Sequence, residues 1–358
     1  MFPSRGFYWR YLMQASHFPL VGTILGALIF SACSDVRDPT APNFIESSSQ
    51  STTYSGRATV VQATVLGQSP ITLVEAGPLP SSGGADEKSL LDASVPGLLT
   101  AEVLHAATVG QGNQSSSEAS VAELSLSAGG NNVSAGFLMA RAEAKCTGGN
   151  ASVSGSSEIA RLTINDQTIV VSGAPNQTIT LPNGRVIINE QQSGSGDITV
   201  SALHIIVDGV ADIVIASAHA DIGCPTGPPP PPPATCPDFI TGGGWIDGTP
   251  SGARANFAVA GGVKSGAFWG HLNYIDHGPN GPKVKGTGVT GYMVIDAKTR
   301  RIEGTAEIDG QPGFTYRVDV ADEGESGRED RFDLHLSNGY VAAGQLPGGN
   351  LQLHNKCS

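Results

Sequence analysis

Ile198-Thr-Val-Ser-Ala-Leu-His-Ile-Ile-Val-Asp-Gly-Val-Ala-Asp-Ile-Val-Ile-Ala-Ser-Ala-His-Ala-Asp-Ile222 is the stretch that decides the fold class. Two β-branched runs, Ile198–Val207 and Val210–Ile222, flank Asp208-Gly209, a dipeptide that tolerates the positive φ angles of a two-residue hairpin turn. In the second run Ser217, His219 and Asp221 alternate with alanines, the period of two that places side chains on opposite faces of a strand. Outward from this hairpin the pattern recurs. Ala58–Val65, Gln167–Val171, Gln177–Leu181 and Arg185–Asn189 are β-branched runs punctuated by Pro-Asn and Asn-Gly turns. Leu98–Ala107 suits either a strand or a short helix. The expected architecture is all-β, built from antiparallel, sandwich-like sheets.

Six consecutive prolines, Pro228–Pro233, follow the hairpin. Proline fixes φ and cannot join a ladder, so the run predicts a polyproline II spacer of ~19 Å. It predicts two domains, 56–224 and 236–358, joined by a linker at 225–235. Their compositions differ. Residues 56–224 hold one aromatic side chain, Phe137, whereas 236–358 hold eleven. The first core must therefore be aliphatic, while the second has aromatic mass for packing or for ligands. Trp245, Trp269 and Tyr274 are the candidate platform on which sugar rings would stack. Core packing is the alternative for each, and the adjacent Phe268 and Trp269 cannot both face inward.

The N-terminus reads as an address. Arg5 and Arg10 are the only charges before Cys33, and an apolar run extends from Phe18 to Phe30. A run of that length suits a signal peptide and falls short of the ~20 residues that span a membrane as a helix. Ser31-Ala32-Cys33 resembles a bacterial lipobox, with Phe30 where leucine is usual. The pattern predicts a lipoprotein signal peptide at 1–32, acylation of Cys33 and a disordered tether at 33–55, rich in Ser, Thr and Pro. Cleavage by an ordinary signal peptidase, with an incidental cysteine, is the alternative. The expected location is the cell envelope or cell surface, at the outer membrane where the host has one. The formal charge of −12 (20 basic against 32 acidic residues) argues against a phosphate-binding surface, so nucleic acid is not an expected partner.

Five cysteines then divide as one plus two plus two. With Cys33 assigned to lipid, one pair per domain gives Cys146–Cys224 and Cys236–Cys357, in keeping with an oxidising compartment. Loops of 78 (224 − 146) and 121 (357 − 236) residues imply about 4–5 kcal/mol each on the chain-entropy model. A four-cysteine zinc site would need a CxxC spacing that the chain lacks.

Motifs for chemistry are few. Gly286-Thr-Gly-Val-Thr-Gly291 matches a dinucleotide fingerprint, but the Tyr292–Asp296 run that follows predicts a strand where that motif needs a helix. Ser217, His219 and Asp221 share one strand face ~6.6 Å apart, too far for a nucleophile-base relay, and no GxSxG elbow exists. His271 and His277, ~20 Å apart on a continuous strand, are too distant to share an ion. Asp276–Gly281 reads as a hairpin loop. Asp319–Asp330 carries six carboxylates in twelve residues, and Asp319, Asp322, Glu325 and Asp330 are the candidate calcium ligands. The order departs from an EF-hand, and a solvated acidic loop beside Arg328 is the alternative. No other cofactor is expected. Asn113, Asn132, Asn150 and Asn176 begin N-x-S/T sequons, chance products of composition in a bacterial chain.

Ser195–Val207 and Ala211–Cys224 resemble the end of the choice-of-anchor P domain, and Asn176–Gly184 with Ile188-Asn-Glu190 resembles its middle. Phe239–Gly252, Trp269–His277 and Ile302–Glu307 resemble the companion domain often found behind it. Together the resemblances cover residues 56 to 358. They imply an exported domain joined to an anchor; they imply no enzymatic activity and carry over no binding residues. Leu346-Pro-Gly-Gly349 is not an LPxTG sorting signal, which favours an N-terminal anchor. The expected function is that of a non-catalytic, membrane-anchored surface or interaction lipoprotein, with an envelope or extracellular polysaccharide or a protein as partner. The alternative is a carbohydrate- or calcium-dependent binding module within 236–358.

Overall fold

A computed structural model describes residues 51–225 and 237–355. The expectations for the signal peptide, Cys33, most of the tether, the proline run and the Cys236–Cys357 bridge fall outside these residues.

The first segment supplies β1 (Thr53–Val65), β2 (Ile71–Ala76), β3 (Gly84–Val95), β4 (Leu99–Gln111), β5 (Gln114–Ala128), β6 (Asn131–Thr147) and β7 (Asn150–Ala160). It continues through β8 (Thr163–Ile164), β9 (Gln167–Thr168), β10 (Gln177–Leu181), β11 (Gly184–Ser193), β12 (Asp197–Val207) and β13 (Ala211–Gly223). The second segment adds β14 (Phe239–Ile246), β15 (Ala255–Lys264), β16 (Ala267–Asp276), β17 (Lys283–Val294) and β18 (Thr299–Ile308). After these come β19 (Gln311–Ala321), β20 (Arg331–Leu336), β21 (Val341–Gln345) and β22 (Gly348–His354). The fold is all-β and antiparallel, with no helix among the described residues.

Sheet A orders β10-β11-β12-β13-β1-β2, and sheet B orders β3-β4-β5-β6-β8-β9 with β7 also on β6. The hairpin around Asp208-Gly209 joins β12 to β13, pairing Val207 with Ala211. Sheets A and B face each other as a sandwich whose core is aliphatic, including Leu104, Leu124, Leu138, Val186, Ile205 and Ile213. Cys146 on β6 is bonded to Cys224 just past β13, tying one sheet to the other. Two local expectations change. β1 begins at Thr53, because Thr53, Tyr54 and Ser55 pair with Gly223, Ile222 and Asp221, so strand replaces the end of the tether. Leu98–Ala107 resolves as strand: most of β4 is buried on both faces, and such a strand loses the alternation that would distinguish it from a helix.

Sheet C orders β21-β20-β19-β18-β17-β16-β15-β14-β22. It is one sheet, not a two-sheet sandwich; it curls into a half-barrel around Ile240, Phe257, Tyr274, Val318 and Phe332. Gly286–Gly291 lies within β17, as a glycine-rich strand. The outer face of β14–β16 packs on β3–β5 of sheet B. Residues on both sides of the linker thus belong to one compact unit, with sheet B as the middle layer. Close approach explains why. Gly242-Gly-Gly244 lies in the middle of β14: a Cβ on Gly243 would lie 2.8 Å from Ser120 Oγ on sheet B, and one on Gly242 would lie 2.1 Å from the Asn350 carbonyl of the neighbouring β22.

Candidate functional site

The middle layer has a second face, and its seam with sheet C brings together side chains that sequence spacing kept apart. Across this seam β3 and β16 run in the same direction. Glu87 meets His271, Ser89 Oγ accepts a 2.7 Å hydrogen bond from Asn273 Nδ2, and Leu91 joins Ile275 in one apolar cluster, each pair advancing by two residues. That cluster closes one end of the seam with Val103, Ala122, Phe137, Met139, Trp245 and Ala258. At the other end Ala85 and Trp269 open onto a cleft of about 410 Å³, lined also by Tyr54, Phe239, Val263 and Lys264. Lys264 Nζ donates to the Ala85 carbonyl at 3.1 Å, bridging the two walls.

Of the three platform candidates, the fold leaves one at a cleft. Trp245 is buried, edge-on to Phe137 at 4.8 Å between ring centres, with the Arg254 guanidinium 4.6 Å above its ring. Tyr274 is buried inside the half-barrel, parallel to Phe332 and hydrogen-bonded to Tyr340 Oη at 2.6 Å. Both are core, because β14 and β16 are covered on two sides. Trp269 is half-buried, 5.4 Å from the Phe239 ring, and lines the cleft. Its neighbour Phe268 is exposed.

The acidic stretch is a connection from β19 to β20, and its carboxylates are already engaged. Asp319 forms a two-pronged pair with Arg301, each contact 2.7 Å. Asp322 Oδ2 accepts from Leu353 N at 2.8 Å, and Asp330 Oδ2 accepts from Leu351 N at 2.8 Å. Asp330 Oδ1 takes Glu323 N at 2.9 Å, while burial pushes the Asp330 carboxyl up to about 6 against those two donors. Glu325 lines one cleft beside Arg141 and Glu143 and a second one together with Asp322. The four do not converge as calcium ligands. Instead Asp322 and Asp330 satisfy edge N–H groups of β22, the work a neighbouring strand would otherwise do where the curled sheet stays open.

Ser217, His219 and Asp221 lie on the half-buried face of β13, where His219 Nδ1 pairs with Thr199 Oγ1 at 2.9 Å and Ser217 with Ser201 at 3.3 Å. They form no relay. His271 and His277 part company: His277 holds Asn256 Oδ1 at 2.8 Å, whereas His271 Nδ1 lies 2.5 Å from Glu87 Oε2. His105 on β4 completes a group with Glu87 and His271, its ring 5.4 Å from that of His271.

No family model, curated protein or solved structure matches the chain. Sequence reasoning missed Glu87 and His105. One signal was available: a single imidazole inside the apolar run Val103-Leu-His-Ala-Ala107 is a polar group that needs a partner.

Proposed function

We propose that this protein is a non-catalytic, exported lipoprotein, anchored through Cys33, that recognises an envelope or extracellular polysaccharide at the cleft between sheets B and C. The observation that carries the reading is the cleft wall itself, where Trp269, backed by the buried Phe239, and Tyr54 supply aromatic surface beside the Lys264 ammonium. Aromatic faces pack on the C–H faces of sugar rings, and flanking polar groups orient hydroxyls. The bridge between Cys146 and Cys224 is compatible with export, and the resemblance to choice-of-anchor P domains supports a surface location. The recognition surface draws on both segments, so the binding module is not confined to 236–358.

A binding screen of the full chain against envelope glycans tests this. A hit is expected to weaken at least tenfold in Trp269→Ala with the far-UV spectrum unchanged. Binding indifferent to Trp269→Ala defeats the cleft assignment, and hydrolysis or elimination of any envelope polymer defeats the non-catalytic reading. Membrane retention is expected to fall in Cys33→Ser.

A further inference from the structure

We propose that Glu87, His105 and His271 form a binding site for a divalent transition metal of the zinc class, cross-linking sheet B to sheet C. The donor set is two imidazoles and one carboxylate, the ligand chemistry that suits zinc rather than calcium or magnesium. One ligand atom from each residue lies within 4.8 Å of the others, and the Glu87–His271 contact is 2.5 Å. A tetrahedral ion with ~2.0–2.1 Å bonds sets its ligand atoms ~3.3 Å apart, inside that range. Small side-chain rotations therefore complete the site.

The independent observation is a set of orphaned polar atoms. His105 is fully buried, and neither its Nδ1 nor its Nε2 has a hydrogen-bond partner. His271 Nε2 is equally unpartnered, while its Nδ1 is taken up by Glu87 Oε2 at 2.5 Å. Buried polar groups are nearly always satisfied, and leaving one bare costs about 1–3 kcal/mol. Several in one place mark a missing partner that accepts lone pairs. The other buried or half-buried histidines differ: His204 is held by Glu190 and Asp212, His219 by Thr199, His277 by Asn256 and His354 by Thr241, and His335 Nε2 lies 3.0 Å from Asp333 Oδ1. Burial, then the neighbouring His271, pushes His105 down to about 3, so its ring is neutral and keeps a lone pair. For Glu87, burial raises the carboxyl, but the adjacent His271 outweighs it and holds it below its ordinary value.

Placement gives the ion a structural consequence. Glu87 and His105 come from neighbouring strands of sheet B, and His271 comes from β16 of sheet C, so coordination ties the two segments together. The Glu87 and His271 side chains each keep 14% exposure, which leaves a fourth position for water. The proposal does not depend on what occupies the neighbouring cleft.

The full chain, extracted in detergent, treated with a chelator and kept oxidised, is titrated with Zn²⁺ by calorimetry and with Co²⁺ by visible absorption. Expected are one ion per chain, a rise in Tm with zinc, and the intense d–d bands of tetrahedral cobalt. Glu87→Gln and His271→Gln are each expected to weaken zinc at least tenfold, while His277→Ala leaves affinity within twofold. Absence of a stoichiometric tetrahedral cobalt spectrum in the wild-type chain overturns the proposal without any variant having to fold. Zinc affinity unchanged in both Gln variants overturns it too, by placing the ion elsewhere.

Discussion

The two faces of sheet B are made by the same strands yet carry different chemistry. Toward sheet A, β4 presents Leu104 and Ala106 to a core that is mostly aliphatic. Toward sheet C, it presents Val103 and His105, and the seam they enter also holds Glu87 and Asn273. Further along, Glu118 on β5 accepts from Asn350 Nδ2 at 3.3 Å. Among the described residues the first interface buries hydroxyls but no ionisable pair: Thr108 and Ser117 bond to each other at 2.7 Å, and Ser117 Oγ donates to the His219 carbonyl at 2.6 Å. The second buries ionisable groups whose desolvation is unfavourable, so what keeps them there is either a partner or a function.

The largest expected effects come from removing side chains of similar depth on opposite faces. Leu104→Ala and Phe137→Ala are each expected to lower unfolding free energy by about 3–4 kcal/mol. Urea unfolding should give coincident circular-dichroism and tryptophan-fluorescence transitions in both, since Trp245 sits in the seam. If Phe137→Ala separates the fluorescence transition from the other, the seam opens as a unit of its own and the comparison becomes one of two stabilities.

Glu118 gives a smaller effect of opposite sign. Burial pushes its carboxyl from 4.5 up to about 8, so at pH 7 the folded chain holds a proton that the unfolded chain has released. Its cost is absent below about pH 4.5 and grows as pH rises toward 8, where the folded group finally ionises. Glu118→Gln keeps an acceptor for Asn350 and is expected to stabilise by at most about 3 kcal/mol at pH 7. Denaturation at pH 5, 7 and 8.5 checks it; an increment that does not grow from pH 5 to 7 contradicts the seam's polar character.

Asp322→Ala should have the smallest effect, about 1 kcal/mol, by freeing the Leu353 amide at the edge of β22. Faster hydrogen exchange at Leu353, with protection in sheets A and B unaltered, is the expected signature. Unchanged exchange at Leu353 would mean that the carboxylate does not close the half-barrel.

Much of the fold was legible because its signals are local. β10, β11, the β12–β13 hairpin and the bond between Cys146 and Cys224 follow from β-branched runs, turn dipeptides and pairing within a segment. The site was not. Trp245 looked like a platform because an aromatic after three glycines is conspicuous, but the glycines serve close strand packing and the ring fills the gap beneath. His271 was weighed against His277, its neighbour in sequence, whereas its partner Glu87 lies 184 residues away (271 − 87) on another sheet.

What the sequence determined by itself was the alternation within the strands, the turns between them and the pairing of Cys146 with Cys224, set by patterns within one segment. The tertiary structure alone decided which face meets which sheet. A period of two says that Val103 and His105 lie opposite Leu104. It says nothing of a third layer covering that side, because the layer is built from residues more than a hundred positions away, and its closeness depends on glycines whose role appears only when another backbone lies against them.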